Sequence, residues 1–225
     1  MSDTTISLIK NSIRYFELIS AIAGTVYFYK YKHTDLKYFL YLLWYITITE
    51  FLGWYIWLTG NMAHIDENGW IYNLWLYNIL NLVMFNTVYF IYYNYLKTQL
   101  FKKWTKLFII IFTIVYALNW IFIQNFITEN AVLPRIIGSI FLIITIIFFF
   151  IELLRSEKIV VFHKLLLFWI SVGLLLFYTG TIPFMLKWNG YMLIPGIHEL
   201  FLIVYILAII MYSIFTFGFI WSKKE

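Results

Sequence analysis

Seven apolar segments, each long enough to cross a lipid bilayer, take up most of this chain. A membrane-spanning helix needs about 20 mostly apolar residues. The segments run over residues 12–29, 38–59, 70–95, 106–126, 134–154, 165–186 and 193–221. Because the loops between them are short, consecutive helices are expected to pack as antiparallel neighbours. The sequence therefore predicts an all-α protein in which residues 1–225 form one polytopic bundle of seven transmembrane helices.

The composition agrees with a membrane location. Apolar residues make up 63% of the chain and charged residues 12%, whereas a soluble domain has about 25% charged residues. A soluble protein of this size cannot bury so much apolar surface, so we expect the excess to face the lipid bilayer. Cysteine is absent from the sequence, which excludes disulfides, thiolate ligands and thiol nucleophiles.

Lysine and arginine are distributed unevenly between the two sides of the predicted bundle. Twelve of the sixteen fall in the first, third and fifth loops and the C-terminal tail: Lys30, Lys32, Lys37, Lys97, Lys102, Lys103, Lys106, Arg155, Lys158, Lys164, Lys223 and Lys224. The opposite side has Lys10, Arg14, Arg135 and Lys187. Because basic loops stay in the cytoplasm, we expect the N-terminus outside and the C-terminus inside. The scattered basic residues give no reason to expect a nucleic-acid partner, despite a net charge of +5.

Polar residues gather at one level in the outer half of the predicted bundle. Glu17 and Glu50 each lie about 13 residues from the nearest cytoplasmic loop, or roughly 20 Å along a helix. Ionisable groups at such depth cost on the order of 2.5–3.5 kcal/mol each, so they tend to mark a functional site. The candidate ligand-binding residues at this level are Glu17, Glu50, Trp54, Asn73, Tyr77, Asn81, Asn119, Tyr178, His198 and Glu199.

Two interpretations of this polar level remain open. The residues can form an aromatic-walled pocket, open to the exterior, that binds a small molecule or a cation. They can also pair with one another and hold the helices together, as polar side chains do in membranes. A metal site is not predicted, because no HExxH or HxxxH spacing occurs and the ligands would have to come from separate helices.

Several classes of protein lack support in the sequence. A retinal Schiff base needs a lysine in the last helix, and no lysine lies between Gly190 and Ser222. We find no phosphate-binding glycine loop, nucleophile elbow or kinase signature. The short loops leave no room for a soluble catalytic domain. No cofactor and no catalytic residue is therefore predicted.

Three stretches carry a resemblance to a known group of proteins: residues Trp75–Ile79, Phe168–Tyr178 and Phe217–Trp221. They resemble small seven-helix integral membrane proteins of Bacteroidota. The resemblance implies a bacterial inner (cytoplasmic) membrane and a stand-alone seven-helix unit. It implies no activity and no catalytic residues.

The leading hypothesis from the sequence is a receptor-like sensor. A small ligand or cation would bind in the outward-facing pocket, and shifts of the helices would be transmitted to a separate cytoplasmic signalling protein. One alternative is an intramembrane enzyme or a small-molecule or ion carrier that uses the same carboxylates and histidine. A second alternative is a membrane assembly or scaffold subunit, in which the polar residues only join helices.

Overall fold

The computed structural model describes residues 3–65, 69, 71–186 and 198–224, without the side chains of residues 3–7, 10, 158 and 198–201. Seven α-helices occur in this part of the chain. They are α1 (Asp3–Val26), α2 (Lys37–Thr59), α3 (Leu74–Tyr95), α4 (Gln99–Phe122), α5 (Val132–Leu154), α6 (Leu166–Leu186) and α7 (His198–Trp221). Short 3-10 helices cover Phe28–Lys30 and Glu157–Lys164. The prediction of an all-α helical bundle is confirmed.

The loop between α2 and α3 contains a small β-ribbon that the apolar pattern does not predict. Strand β1 (His64–Ile65) pairs antiparallel with β2 (Ile71–Tyr72). Gly60 ends α2 with a φ of 71°, a left-handed conformation that glycine adopts without steric cost. The predicted start of the last segment, residues 193–197, lies outside the described residues.

Helix α4 begins at Gln99, earlier than the predicted start near residue 106. The Glu152 carboxylate of α5 accepts hydrogen bonds from the backbone amides of Lys97 and Thr98, the shortest of them 2.7 Å. These amides lie immediately before α4, at the helix end where backbone N–H groups have no partner within the helix. A carboxylate is also favoured by the helix dipole at this end. The basic stretch predicted to be a loop is therefore helical from residue 99 onwards.

Six helices in the described part of the chain are long and apolar enough to cross a membrane. They are α2 to α6 over their full lengths and Leu202–Trp221 of α7. The chain is thus a multi-pass membrane protein. Helix α1 has a comparable length of 24 residues, but it carries Lys10, Arg14 and Glu17, which lower its hydropathy.

Six of the seven helices form a closed ring, and α4 lies outside it. Helix α1 packs between α2 and α7, α7 packs on α6, and α6 packs on α5. Helix α3 contacts both α2 and α5 and so closes the ring without α4. Helix α4 covers the seam between α3 and α5, where Phe101 stacks on Phe148 and Phe108 on Phe141, each pair with ring centroids 4.4 Å apart.

The C-terminal end of α7 is fastened to the loop after α1 by a buried lysine. Lys30 Nζ donates hydrogen bonds to the backbone carbonyls of Phe219, Ile220 and Ser222 at 3.0, 2.8 and 2.8 Å. These carbonyls lie at the end of a helix, where they lack amide partners and where a cation is favoured. On the other side, Lys164 Nζ lies 3.6 Å from the centroid of the Trp221 ring. The position of α7 is therefore set by two basic loops.

A candidate ligand-binding cavity

A cavity of about 250 Å³ lies inside the ring of six helices. Each helix of the ring contributes to its wall, and α4 does not. Its polar and ionisable lining residues are Glu17, Glu50, Asn81, Arg135, Tyr178, Tyr205 and Tyr212. The remaining wall is apolar and comes mainly from α2, α3, α6 and α7. A mostly apolar cavity with a few convergent polar groups is the usual form of a small-molecule site.

Glu17 and Glu50 form the acidic side of the cavity. Glu17 is only 4% exposed, and the Tyr212 hydroxyl of α7 lies close to its carboxylate. The second carboxylate oxygen of Glu17, Oε2, is buried and has no hydrogen-bond partner in the described part of the chain. A buried polar atom without a partner is costly, so this oxygen marks a place where a ligand would be stabilised.

Arg14 provides a positive charge on this side. It lies one helical turn from Glu17 on α1, and its charge acts on both Glu17 and Tyr77. Its guanidinium carbon is 5.8 Å from the centroid of the Trp54 ring. Arg14 does not line the cavity, so its charge acts on the carboxylate from outside the wall.

The contact between α2 and α3 positions Glu50. The Tyr77 hydroxyl donates a hydrogen bond to Glu50 Oε2 at 3.2 Å. Just before α3, Asn73 Nδ2 donates to the Gly53 carbonyl oxygen at 2.9 Å. A Cβ atom at Gly53 would lie 2.5 Å from the Tyr77 hydroxyl oxygen, so glycine allows the two helices to approach this closely.

The first turn of α5 supplies a positive charge to a different part of the wall. Arg135 is the fourth residue of α5 and lines the cavity. Its electrostatic partners in the described part of the chain are Tyr178 and Tyr116. Tyr178 in turn donates a hydrogen bond to the sulfur of Met84 at 3.3 Å, which fixes the phenol beside Arg135.

The residues predicted from sequence occupy three different kinds of position. Glu17, Glu50, Asn81 and Tyr178 line the cavity. Asn73, Tyr77 and Trp54 lie behind the wall and contact Gly53, Glu50 and Arg14 respectively.

The remaining three predicted residues do not add to the described wall. Asn119 is fully buried on α4, where its amide nitrogen donates to Gln124 Oε1 at 2.9 Å. His198 and Glu199 begin α7, but their side chains lie outside the described residues. The structure therefore brings four of the ten candidates together around one space.

Sequence reasoning missed Arg135, Tyr205 and Tyr212. Arg135 carried a usable signal, because it is a charged residue at the very start of a long apolar segment on the side away from the basic loops. The two tyrosines carried no such signal, since the chain has nineteen tyrosines and tyrosine is common at the membrane–water interface.

The described residues contain no group of three or more histidine, cysteine, aspartate or glutamate side chains arranged to hold a metal ion. Comparison with known proteins found no matching family model, no matching curated protein and no matching solved structure. Function is therefore inferred from the geometry of the cavity.

Proposed function

We propose that this protein is a receptor-like membrane sensor whose cavity binds a small molecule bearing a cationic or hydrogen-bond-donating group. The observation that carries the proposal is the Glu17 carboxylate, which is buried in the wall and has one oxygen without a hydrogen-bond partner among the described residues. If Glu17 only joined helices, both of its carboxylate oxygens would be expected to accept hydrogen bonds. A buried acceptor without a hydrogen bond lowers the stability of the fold by about 1–3 kcal/mol.

A route from the cavity to the other end of the bundle supports the sensor role. On α7, Tyr212 contacts Glu17, and Phe215 lines the cavity one turn later. Phe219 follows on the same face, and its carbonyl accepts a hydrogen bond from Lys30. A ligand that moved Tyr212 would act on a helix whose far end is held by basic loops. A separate cytoplasmic protein would detect that movement at these loops.

The proposal includes a specific arrangement in the membrane. Helix α1 is the seventh span, the N-terminus is outside, and the C-terminus is in the cytoplasm of a bacterial cell with the protein in its inner membrane. Two observations support α1 as a span: it is as long as the apolar helices, and it packs between α2 and α7. Its ionisable residue Glu17 faces the cavity and not lipid, which lowers the cost of crossing.

The proposal is tested by ligand-dependent stabilisation of the purified protein. A panel of metabolites and ions is added, and the melting temperature is measured for the parent protein, Glu50→Gln and Asn86→Leu. A ligand that binds only the folded state raises the melting temperature by mass action. We expect at least one compound to stabilise the parent and Asn86→Leu but not Glu50→Gln.

Asn86 is a suitable control because it lies on α3 and does not line the cavity. In the described part of the chain its side chain bonds to the Leu82 carbonyl and to Thr113. If no compound stabilises the parent protein and Glu50→Gln melts higher than it, the carboxylates only join helices. The scaffold alternative would then replace the sensor.

A further inference from the structure

We infer that the cavity binds a single-chain amphiphile, whose polar head group lies near Glu17 and whose hydrocarbon tail extends toward Phe39. This inference rests on the proposed ligand-binding function and names the chemical class of the ligand. It follows from the way polar and apolar side chains are distributed along the length of the cavity.

The cavity is elongated along the helix axes. On α2 its lining residues run from Phe39 to Glu50, which is a rise of about 16 Å along the helix. On α7 they run from Val204 to Phe215, over an equal number of residues. The rings of Phe39 and Phe215 meet at one end with their centroids 5.1 Å apart, so both rows of lining residues end at the same level.

The end of the cavity at this ring pair is apolar. Leu43, Val88 and Leu174 line it together with the two phenylalanines. Phe215 also packs against α6, where a Cβ atom at Gly173 would lie 2.6 Å from its ring, and this contact closes the end. A water molecule needs several polar partners, which these side chains do not offer. A hydrocarbon group is therefore the occupant that this apolar end stabilises.

The carboxylates of the wall lie away from the apolar end. Glu50 is separated from Phe39 by the full length of the cavity on α2. On α1, a Cβ atom at Gly24 would lie 2.8 Å from Leu40 Cδ1, so Gly24 marks the level of the apolar end. Glu17 precedes Gly24 by about two helical turns, or roughly 10 Å. Its buried Oε2 has no partner among the described residues, so it can accept a hydrogen bond from a donor on the head group of the ligand.

The guanidinium of the wall is displaced in the same direction. The Tyr89 hydroxyl donates a hydrogen bond to the Gly138 carbonyl at 2.6 Å, and further along both helices Tyr92 contacts Phe149. Helices α3 and α5 therefore run in the same direction. Arg135 comes about one turn before Gly138, which places it toward the start of α3 and away from the apolar end.

The size of the cavity limits the ligand to one chain. Its volume of about 250 Å³ is below the range of roughly 300–1,000 Å³ that is usual for sites of drug-sized molecules. Spread over a length of about 16 Å, this volume gives a narrow space. A single unbranched tail fits such a space, whereas a two-chain phospholipid does not.

A series of n-alkylamines from butylamine to dodecylamine tests the inference. Binding to the full chain in lipid nanodiscs is measured by equilibrium dialysis, and empty nanodiscs of the same lipid correct for partition into the bilayer. We expect the affinity to rise about fourfold for each added methylene group, which corresponds to burial of one CH2 group. The rise should stop at one chain length, where the tail reaches Phe39.

Variants at the apolar end test where the tail lies. Val88→Phe should shorten the longest chain that still gains affinity, and unchanged binding of the shortest amine that binds shows that the variant is folded. Val83→Phe is the matched control, because Val83 also lies on α3 but is 39% exposed and does not line the cavity. Phe39→Leu should have the opposite effect to Val88→Phe, because it opens the apolar end to a longer chain.

A variant at the other end tests where the head group lies. Glu17→Gln should weaken the binding of all amines by a common factor of about tenfold, which corresponds to one charge-assisted hydrogen bond. The longest chain that gains affinity should stay the same as in the parent protein.

Amine binding that does not depend on chain length would overturn the amphiphile and leave the proposed function standing. A chain-length limit that is the same in the parent protein, Val88→Phe and Phe39→Leu would also overturn it, because the tail would then lie outside the cavity. If no amine binds, the amphiphile is overturned as well. The proposed function fails with it only if the metabolite panel also gives no stabilisation.

Discussion

The Tyr77 hydroxyl lies between two features of α2: it donates a hydrogen bond to Glu50 Oε2 at 3.2 Å, and it occupies the space that a side chain at Gly53 would need. One phenol on α3 thus sets both the position of a cavity carboxylate and the distance between two helices. Because these roles meet at one atom, the packing and the binding site should respond together to a change at Gly53.

Gly53→Ala is expected to lower the stability of the protein by about 1–3 kcal/mol, the usual cost of overpacking. The new methyl group would displace the Tyr77 hydroxyl from Glu50 because its Cβ would lie 2.5 Å from that oxygen. The purified protein is heated in detergent, and the fraction that remains folded is measured from its elution on a size-exclusion column.

The matched control is the double variant Gly53→Ala with Tyr77→Phe. Removal of the hydroxyl makes space for the methyl group, so the two changes should be strongly non-additive and the double variant should melt above Gly53→Ala alone. Additive destabilisation would show that the close approach at Gly53 does not position Tyr77.

Lys30→Met is expected to lower stability by about 2–4 kcal/mol, because three carbonyls at the end of α7 lose a charged donor. Lys32→Met is the control, since Lys32 is exposed two residues away. Hydrogen exchange of the last turn of α7 should rise in Lys30→Met and stay unchanged in Lys32→Met. An equal effect of both substitutions would contradict the capping role of Lys30.

The apolar segments made the helices predictable, because apolar length alone is a strong signal in a membrane protein. The boundaries were less predictable where lysines are involved. Lys102 and Lys103 were predicted to lie in a loop, but lysine forms helices well. In addition, Glu152 of α5, 54 residues after Thr98 in the chain, accepts hydrogen bonds from the amides just before α4. That contact is tertiary and cannot be read from a local pattern.

The composition of the site was only partly predictable for a related reason. Depth along each helix follows from counting residues, whereas position around the ring depends on which helices touch. Asn119 has a suitable depth, but α4 lies outside the ring, so this residue does not reach the cavity wall. Arg135 was counted only as a charge on the outer side, yet α5 belongs to the ring and places Arg135 in the cavity wall.

Reporter fusions test the orientation in the membrane. A reporter fused after the last residue should be active in the cytoplasm, and a tag inserted at Asn61 should be accessible from outside intact cells. The reason is the twelve-to-four bias of lysine and arginine toward one side. The reverse pair of results would invert the bundle and place the cavity at the cytoplasmic side.

Chelation tests whether a metal ion holds the bundle together. The melting temperature of the purified protein should stay unchanged in the presence of a strong chelator, and the protein should be colourless. The described helices are held by contacts such as those of Asn78, whose amide binds the carbonyls of Phe126 and Glu129 at 2.8 and 2.9 Å. A fall of several degrees with chelator would instead indicate a structural metal site.

Native mass spectrometry of the protein released directly from its membrane tests the central claim most directly. If the buried Glu17 carboxylate binds a ligand, the parent protein and Asn86→Leu should carry a small adduct of one defined mass. In Glu17→Gln the adduct should be absent, because the substitution replaces a carboxyl oxygen of the cavity wall with an amide NH2 group. An adduct of undiminished abundance in Glu17→Gln, or its absence from all three proteins together with a higher melting temperature for Glu17→Gln, would contradict a ligand-binding role for this cavity.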